Sequence, residues 1–207
     1  MRPGLTGILL SALLAPALAS CSERRPPEAA GSIQPATGQV LRFEYTALDG
    51  RPISTRSMAN RVSVIGFLTS YDMPSQVEAR FLDLLERRHT PRLNVAVLML
   101  EAPENQPLVE AFAASLRLEY PIAMADAATI AGEGPFTGLH HVPSVVVLDR
   151  AGREAWRHVG LVDEAVLEAA VRAVEASSPP PAPGRADGDG HDGGRPPMPP
   201  GPAGTGK

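Results

Sequence analysis

The middle of the chain alternates short apolar runs with amphipathic helical patterns, which limits it to the α/β class. Residues 62–68 form an apolar run with the length of a buried central strand. A helical pattern opens at Pro74 and continues to about Arg88. Further strand-length runs begin at Leu93, Ser144 and Glu154, with a turn at residues 149–152 between the last two. This order predicts parallel strands beside one antiparallel hairpin.

The helical patterns also predict which side chains pack on the sheet. A second helix is expected from about Pro107 to Leu118, and Asp163 is placed to cap a last helix. The side chains expected on the apolar faces are Val77, Phe81, Leu84 and Leu85 in the first helix, Leu108, Phe112 and Leu116 in the second, and Leu167, Val171 and Val174 in the last.

The two ends of the chain differ from this middle part. All nine aromatic residues lie between Phe43 and Trp156. Residues 177–207 hold nine of the 22 prolines and eight of the 19 glycines and almost no apolar side chain, so they cannot bury enough surface to fold. We therefore divide the chain into a leader (1–20), a tether (21–37), a folded domain (38–176) and a disordered tail (177–207).

The leader and the only cysteine form an export signal. An arginine at position 2 precedes an apolar stretch over residues 5–18, which is too short for an ordinary membrane-spanning helix. Leu18-Ala19-Ser20-Cys21 resembles the bacterial lipobox, in which the cysteine is acylated and becomes the mature N-terminus. Ser22 follows it, as in lipoproteins sorted to the outer membrane. The resemblance implies a lipid anchor on the periplasmic face of that membrane.

Several segments of the middle part resemble the redoxin group of thioredoxin-like thiol-disulfide oxidoreductases (TlpA-like and AhpC/TSA-like proteins). The segments are residues 48–54, 64–67, 120–122 and 142–153. The resemblance implies a thioredoxin-like fold, with a central mixed sheet flanked by helices and an extra strand pair at its start. It also implies a cis peptide bond before Pro143, close to the active site.

The chain departs from this family at the reactive positions. Family members carry Trp-Cys-x-Pro-Cys between the strand and its helix, whereas this chain reads Tyr71-Asp72-Met73-Pro74-Ser75. Asp72 and Ser75 thus fall where the attacking and resolving cysteines are expected. Neither a carboxylate nor a lone hydroxyl can perform thiol-disulfide exchange, so we predict no catalytic residue and no independent reductase or peroxidase activity. Both residues are instead typical of a helix N-cap.

Two adjacent histidines are candidate metal ligands. His140 and His141 precede Val142 and, with Asp72 or Glu133, could supply imidazole and carboxylate to copper or zinc. Adjacent residues of an extended segment point to opposite faces, however, so we predict no metal site and no cofactor. Glu101, Glu104 and Glu110 are expected on a solvated surface, and Trp156 is expected to pack on the sheet.

Two functions remain open. The first is a redox-inactive binding or structural module that holds an envelope protein or peptide in a groove formed by Tyr71, Pro74, Val142 and Pro143. The second is an oxidoreductase that works with a partner's thiol or with a metal. The net charge of -4 and the absence of a basic run argue against nucleic-acid binding. The membrane, through the lipid, is the other predicted partner.

Overall fold

The computed structural model describes residues 38–178, so the predicted leader, Cys21, the tether and nearly all of the tail lie outside it. Seven strands and four helices make up this part. They are β1 (Glu44–Thr46), β2 (Pro52–Ser54), β3 (Val62–Leu68), α1 (Met73–His89), β4 (Leu93–Met99), α2 (Gln106–Leu116), β5 (Ile122–Met124), α3 (Ala127–Ile130), β6 (Ser144–Leu148), β7 (Glu154–Val159) and α4 (Glu164–Ser177).

The main sheet has five strands in the order β5-β4-β3-β6-β7. The strands β3, β4 and β5 run parallel, whereas β6 is antiparallel to both β3 and β7. β1 and β2 form a separate antiparallel pair that precedes the sheet. This arrangement confirms the predicted fold class, a thioredoxin-like mixed sheet flanked by helices with an extra strand pair at the start.

Strand β3 is buried along its whole length because both faces of the sheet are covered. On one face, Val64 and Leu68 pack with side chains from α1, α2 and α4. On the other face, Ile65 and Phe67 pack with the β1–β2 pair and with Phe136. The alternation of side chains along a strand thus divides the core into two layers. Trp156 of β7 is 2% exposed, and its predicted role in sheet packing is confirmed.

Gly66, in the middle of β3, allows α1 to lie close to the sheet. A Cβ atom at this position would come within 2.6 Å of Leu82 Cδ1 and 3.2 Å of Val97 Cγ2. Both neighbours are completely or almost completely buried, so neither has free space to move into. The close approach of helix and sheet therefore depends on the missing side chain.

The predicted apolar face of α1 is only partly correct. Leu85 is buried, but Val77 and Phe81 are half-buried and Leu84 is 40% exposed. The face that meets the sheet is rotated from the predicted one because it contains buried polar residues, which a search for apolar spacing does not detect. These residues are Ser75, Glu78 and Asp83.

The prediction for α2 was wrong at Leu108 and correct at Phe112. Leu108 is 58% exposed, whereas its neighbour Val109 is fully buried and Phe112 is 7% exposed. Leu116 packs against the core at the helix end. In α4 the predicted residues Leu167, Val171 and Val174 are all buried.

Within residues 38–178, the helices are too short or too polar to cross a bilayer.

Candidate functional site

The candidate site lies where β3 ends and α1 begins. Residues 69–72 connect the two elements, and β6 begins next to them because Phe67 pairs with Ser144 across the sheet. The peptide bond between Val142 and Pro143 is cis, as the family resemblance implies. The fold therefore brings residues 69–72 and the 142–143 segment to the same end of the sheet.

Asp72 caps the N-terminus of α1. Its Oδ1 accepts a hydrogen bond from the backbone N–H of Ser75 at 2.8 Å, and its Oδ2 accepts one from the Thr69 hydroxyl. Its backbone is extended (φ -111°, ψ 145°), as an N-cap requires. Partial burial alone would raise the pKa of Asp72, but these hydrogen bonds to the charged form outweigh it and lower the pKa below its ordinary value. Asp72 is a carboxylate at neutral pH.

Ser75 is fully buried in the first turn of α1. Its Oγ accepts a hydrogen bond from the backbone N–H of Thr69 at 3.1 Å. The hydroxyl thus fixes the loop that leads into the helix. A nucleophilic hydroxyl must reach its substrate and an adjacent base, and the burial of Ser75 is incompatible with that role.

Glu101 holds the same loop from the neighbouring strand, and its predicted place on a solvated surface was wrong. It is 3% exposed. One of its carboxylate oxygens accepts a hydrogen bond from the backbone N–H of Ser70, and the other accepts one from Asn105 Nδ2 at 3.1 Å. Its place two residues after β4, a parallel neighbour of β3, was the signal that could have located it. Glu104 and Glu110 are exposed, as predicted.

Glu78 is a second buried acid that sequence reasoning missed. It lies one helical turn beyond Ser75, and its side chain is fully buried. Its Oε2 accepts a hydrogen bond from the backbone N–H of Val162 at 3.0 Å, which joins α1 to the segment before α4. Its Oε1 has no partner among the described residues. Burial raises the pKa of Glu78 to about 7, although the bond from Val162 opposes this.

Above these buried groups the surface is apolar and open. Tyr71 is 71% exposed and Met73 is 69% exposed, on either side of Asp72. Pro74 is exposed and Val142 is half-buried, whereas Pro143 is buried. The structure thus places all four predicted groove residues at one end of the sheet, but Pro143 is buried and only the other three offer surface to a ligand.

The end of β7 lies at the same end of the sheet, because Val159 pairs with Ser144 at the start of β6. The backbone N–H of Gly160 donates to the Pro143 carbonyl at 2.8 Å, which fixes the end of β7 beside the cis proline. Its neighbours Val159 and Leu161 are 52% and 44% exposed. We use the name apolar rim for Tyr71, Met73, Val159 and Leu161.

His140 and His141 lie at the start of the 142–143 segment and are both exposed. Their ring centroids are 4.3 Å apart, so the expectation that adjacent residues point to opposite faces was wrong here. The reason is that neither residue lies in a strand, since His140 is in irregular chain and His141 is in a bend. Within residues 38–178 no three His, Cys, Asp or Glu side chains are grouped as ligands for a metal ion.

Comparisons with known proteins give a consistent result for the fold. No family model and no curated protein matches the chain. Among solved structures, a thioredoxin-family thiol:disulfide interchange protein from Chlorobium tepidum is 19% identical, with a TM-score of 0.57 over 69% of this chain and 97% of that one. A DsbF homologue from Corynebacterium diphtheriae is 17% identical, with a TM-score of 0.58 over 66% of this chain and 86% of the other.

A secreted thiol-disulfide isomerase from Corynebacterium glutamicum is 21% identical, with a TM-score of 0.56 over 66% of this chain and 85% of its own. Identities near 20% show the fold and not the activity. What the site can do chemically therefore depends on the residues that this chain itself places there. The chain has the thioredoxin-like fold of the thiol:disulfide oxidoreductases.

Proposed function

We propose that this chain is an exported lipoprotein whose thioredoxin-like domain binds a partner and does not itself exchange disulfides. The observation that carries the proposal is the start of α1, where Asp72 caps the helix and Ser75 is buried beneath it. By the register of the family motif, these two residues replace the two cysteines. The sequence has no other cysteine than Cys21.

The chemistry of the two replacements supports this proposal. Disulfide exchange begins with attack of a thiolate on sulfur, and a thiolate is stabilised by the N-terminus of a helix. Asp72 supplies an anion at that place, which suits the helix dipole, but a carboxylate cannot form the mixed disulfide. Ser75 has no path to a substrate because its hydroxyl is buried.

The apolar rim is the surface that we propose for the partner. Exposed tyrosine and methionine side chains are enriched at protein interfaces, and methionine adapts to partners of different shape. An envelope protein, or an extended peptide from one, could lie along Tyr71 and Met73 and reach the backbone of Val142. The mild net negative charge offers no basis for a nucleic-acid partner.

Export and anchoring follow from the leader and Cys21. Acyl chains on Cys21 would hold the mature chain on the periplasmic face of the outer membrane, with residues 22–37 as the tether. Metabolic labelling with an alkyne fatty acid tests this: the wild-type chain should take up the label, and the Cys21→Ser variant should not. Labelling of both chains, or of neither, would contradict the anchor.

The competing function is an oxidoreductase that works with a partner's thiol or a metal. Insulin reduction and peroxide consumption by the purified mature chain distinguish the two, and we expect no turnover in either assay. The double variant Asp72→Cys/Ser75→Cys should gain reductase activity, because the helix N-terminus that activates a thiolate is already present. Turnover by the wild-type chain would overturn the proposal.

The binding role is tested by photo-crosslinking in intact cells. A photoreactive side chain at Met73 should give a discrete adduct with an envelope protein, whereas one at Leu84, which is also exposed but lies along α1, should not. The adduct at position 73 should disappear when Tyr71 is changed to Asp, since a charge in the apolar rim opposes burial. Equal adducts at both positions would show that the rim is not the binding surface.

A further inference from the structure

Met73 has the most exposed methionine side chain in the described part of the chain. It begins α1 and is 69% exposed, whereas Met58 is 7% exposed and Met99 is fully buried. Met124, in β5, is half-buried. The sequence has no cysteine between residues 38 and 178, so these four methionines hold all the sulfur of this part. The sulfur most accessible to solvent therefore lies in the apolar rim.

The side chain of Met73 takes no part in the folded core. The two clusters of buried apolar side chains contain Met58 and Met99 but not Met73. The start of α1 is held instead by the hydrogen bonds of Asp72 and Ser75. A chemical change at the sulfur of Met73 should therefore alter the surface of the domain and leave its fold intact.

Oxidation is the chemical change to which an exposed thioether is open. The sulfur attacks one oxygen of hydrogen peroxide, so that an S–O bond forms and the O–O bond breaks. The sulfur loses two electrons and becomes a sulfoxide, while the leaving oxygen takes up the proton of the transferred one and departs as water. Methionine sulfoxide is polar, and methionine sulfoxide reductases convert it back to the thioether.

The place of Met73 in the apolar rim gives this oxidation a consequence for binding. The other members of the rim, Tyr71, Val159 and Leu161, are apolar or aromatic and are also exposed. A partner that covers the rim removes the thioether from water, which favours binding. A sulfoxide oxygen covered in the same way, without a hydrogen-bond donor, opposes binding because its desolvation is not compensated.

We propose that Met73 is a site of reversible oxidation by peroxide, and that its sulfoxide releases the partner from the apolar rim. The release rests on the proposed function, because it requires that the rim binds a partner, whereas the oxidation itself does not. Tyr71 and Pro74 are exposed on either side of Met73, so a reductase has access to the oxidised side chain. The domain thus responds to peroxide through a thioether instead of a thiol.

Timed treatment of the purified mature chain with hydrogen peroxide, followed by peptide mass spectrometry, tests the site without any partner. We expect Met73 to be oxidised at least about tenfold faster than Met58 and Met99, because buried sulfur reacts only when the fold opens. The variant Met198→Leu removes the methionine of the tail. After peroxide it should be retained less on a phenyl column with its urea midpoint unchanged, and methionine sulfoxide reductase should restore the retention. The matched control Met73→Leu/Met198→Leu should keep its retention throughout.

Photo-crosslinking in intact cells tests the release. A photoreactive side chain at Leu161 in the Met198→Leu chain should give an adduct whose yield falls about tenfold after a pulse of peroxide. When Met73→Leu is added, the same pulse should leave the yield of that chain unchanged. An equal fall in both chains, no fall in the first, or oxidation of Met73 no faster than that of Met99 would overturn this inference. Absence of an adduct before the pulse would overturn the proposed binding role alone, since the oxidation rates and the column retention require no partner.

Discussion

At the scale of single residues, Asp72 places a negative charge at the start of a helix. The exposed N–H groups of a helix start and the helix dipole favour negative charge whatever atom carries it. The carboxylate of Asp72 supplies this negative charge. It also accepts hydrogen bonds from the backbone N–H of Ser75 and from the hydroxyl of Thr69. The role of Asp72 in this structure is therefore to stabilise the helix start.

Removing that cap should have a measurable cost. We expect Asp72→Ala to lower the free energy of unfolding at neutral pH by about 1 kcal/mol, and Asp72→Asn to lower it less, because an asparagine oxygen still accepts a bond from Ser75. The folded pKa of Asp72 is lowered, so its contribution is present above the unfolded pKa and is lost as pH falls through the folded value. Urea unfolding at pH 7 and pH 3 should show the alanine variant converging on the wild type in acid.

The raised pKa of Glu78 predicts the opposite dependence of the free energy of unfolding on pH. Its folded pKa is raised from 4.5 to about 7, so the folded state holds a proton that the unfolded state releases. Stability should therefore fall as pH rises from about 4.5 to about 7, by up to about 3 kcal/mol from this group. In Glu78→Gln this loss should be absent, because the amide cannot ionise and still accepts the bond from Val162.

The measurement is the difference in unfolding free energy between pH 5 and pH 8, taken for both proteins in urea. The comparison cancels every other titrating group that the two share. An identical pH slope in the wild type and in Glu78→Gln would show that Glu78 is already ionised at pH 5.

At the scale of elements, the main strands and the last helix could be predicted because strand-length apolar runs, a turn between two strands and a helical spacing of apolar residues are local patterns. β3, β4, β6 and β7 were located within a residue or so, and so was the buried face of α4. β5 has three residues, too few for a periodicity to emerge.

The candidate site was predictable only in part. The cap at Asp72 follows from local sequence, since an N-cap needs only the residues that follow it. Glu78 and Glu101 are far apart in sequence and look like ordinary surface acids. Their burial depends on what packs above them, namely the backbone before α4 and the loop after β3. For Glu78 this information exists only in the tertiary structure, whereas the place of Glu101 just after β4 is a signal that the sequence does contain.

The packing of α1 against β3 gives a prediction at this scale. Gly66→Ala places a methyl group 2.6 Å from Leu82 Cδ1, and we expect it to destabilise the protein by about 1–3 kcal/mol. Leu82→Ala alone should cost about 2–5 kcal/mol by leaving a cavity. In the double variant the new methyl enters that cavity, so its cost should be clearly less than the sum of the two. Chemical denaturation of all four proteins measures this coupling, and strict additivity would show that the helix simply moves away.

At the scale of the whole molecule, the two ends of the sheet have different characters. One end carries the capped helix and the apolar rim, and at the other end the backbone N–H of Leu41 donates to the carbonyl of Gly152, in the turn between β6 and β7. Both clusters of buried apolar side chains lie between Phe43 and Val174. The apolar packing that stabilises the domain is therefore made by residues within this range.

This location of the core predicts how truncation affects the mature chain. Removing residues 179–207 should change the free energy of unfolding by less than about 0.5 kcal/mol, because no residue of either cluster is removed and Ser178 still accepts the bond from Arg150. Truncation after Val162 instead removes α4, including the buried Leu167 and Val171, and should abolish the cooperative transition. Thermal unfolding of the two truncated chains beside the mature chain measures both effects. A large loss of stability in the first would show that residues beyond 178 contribute to the fold, and the domain boundary would then move toward the C-terminus.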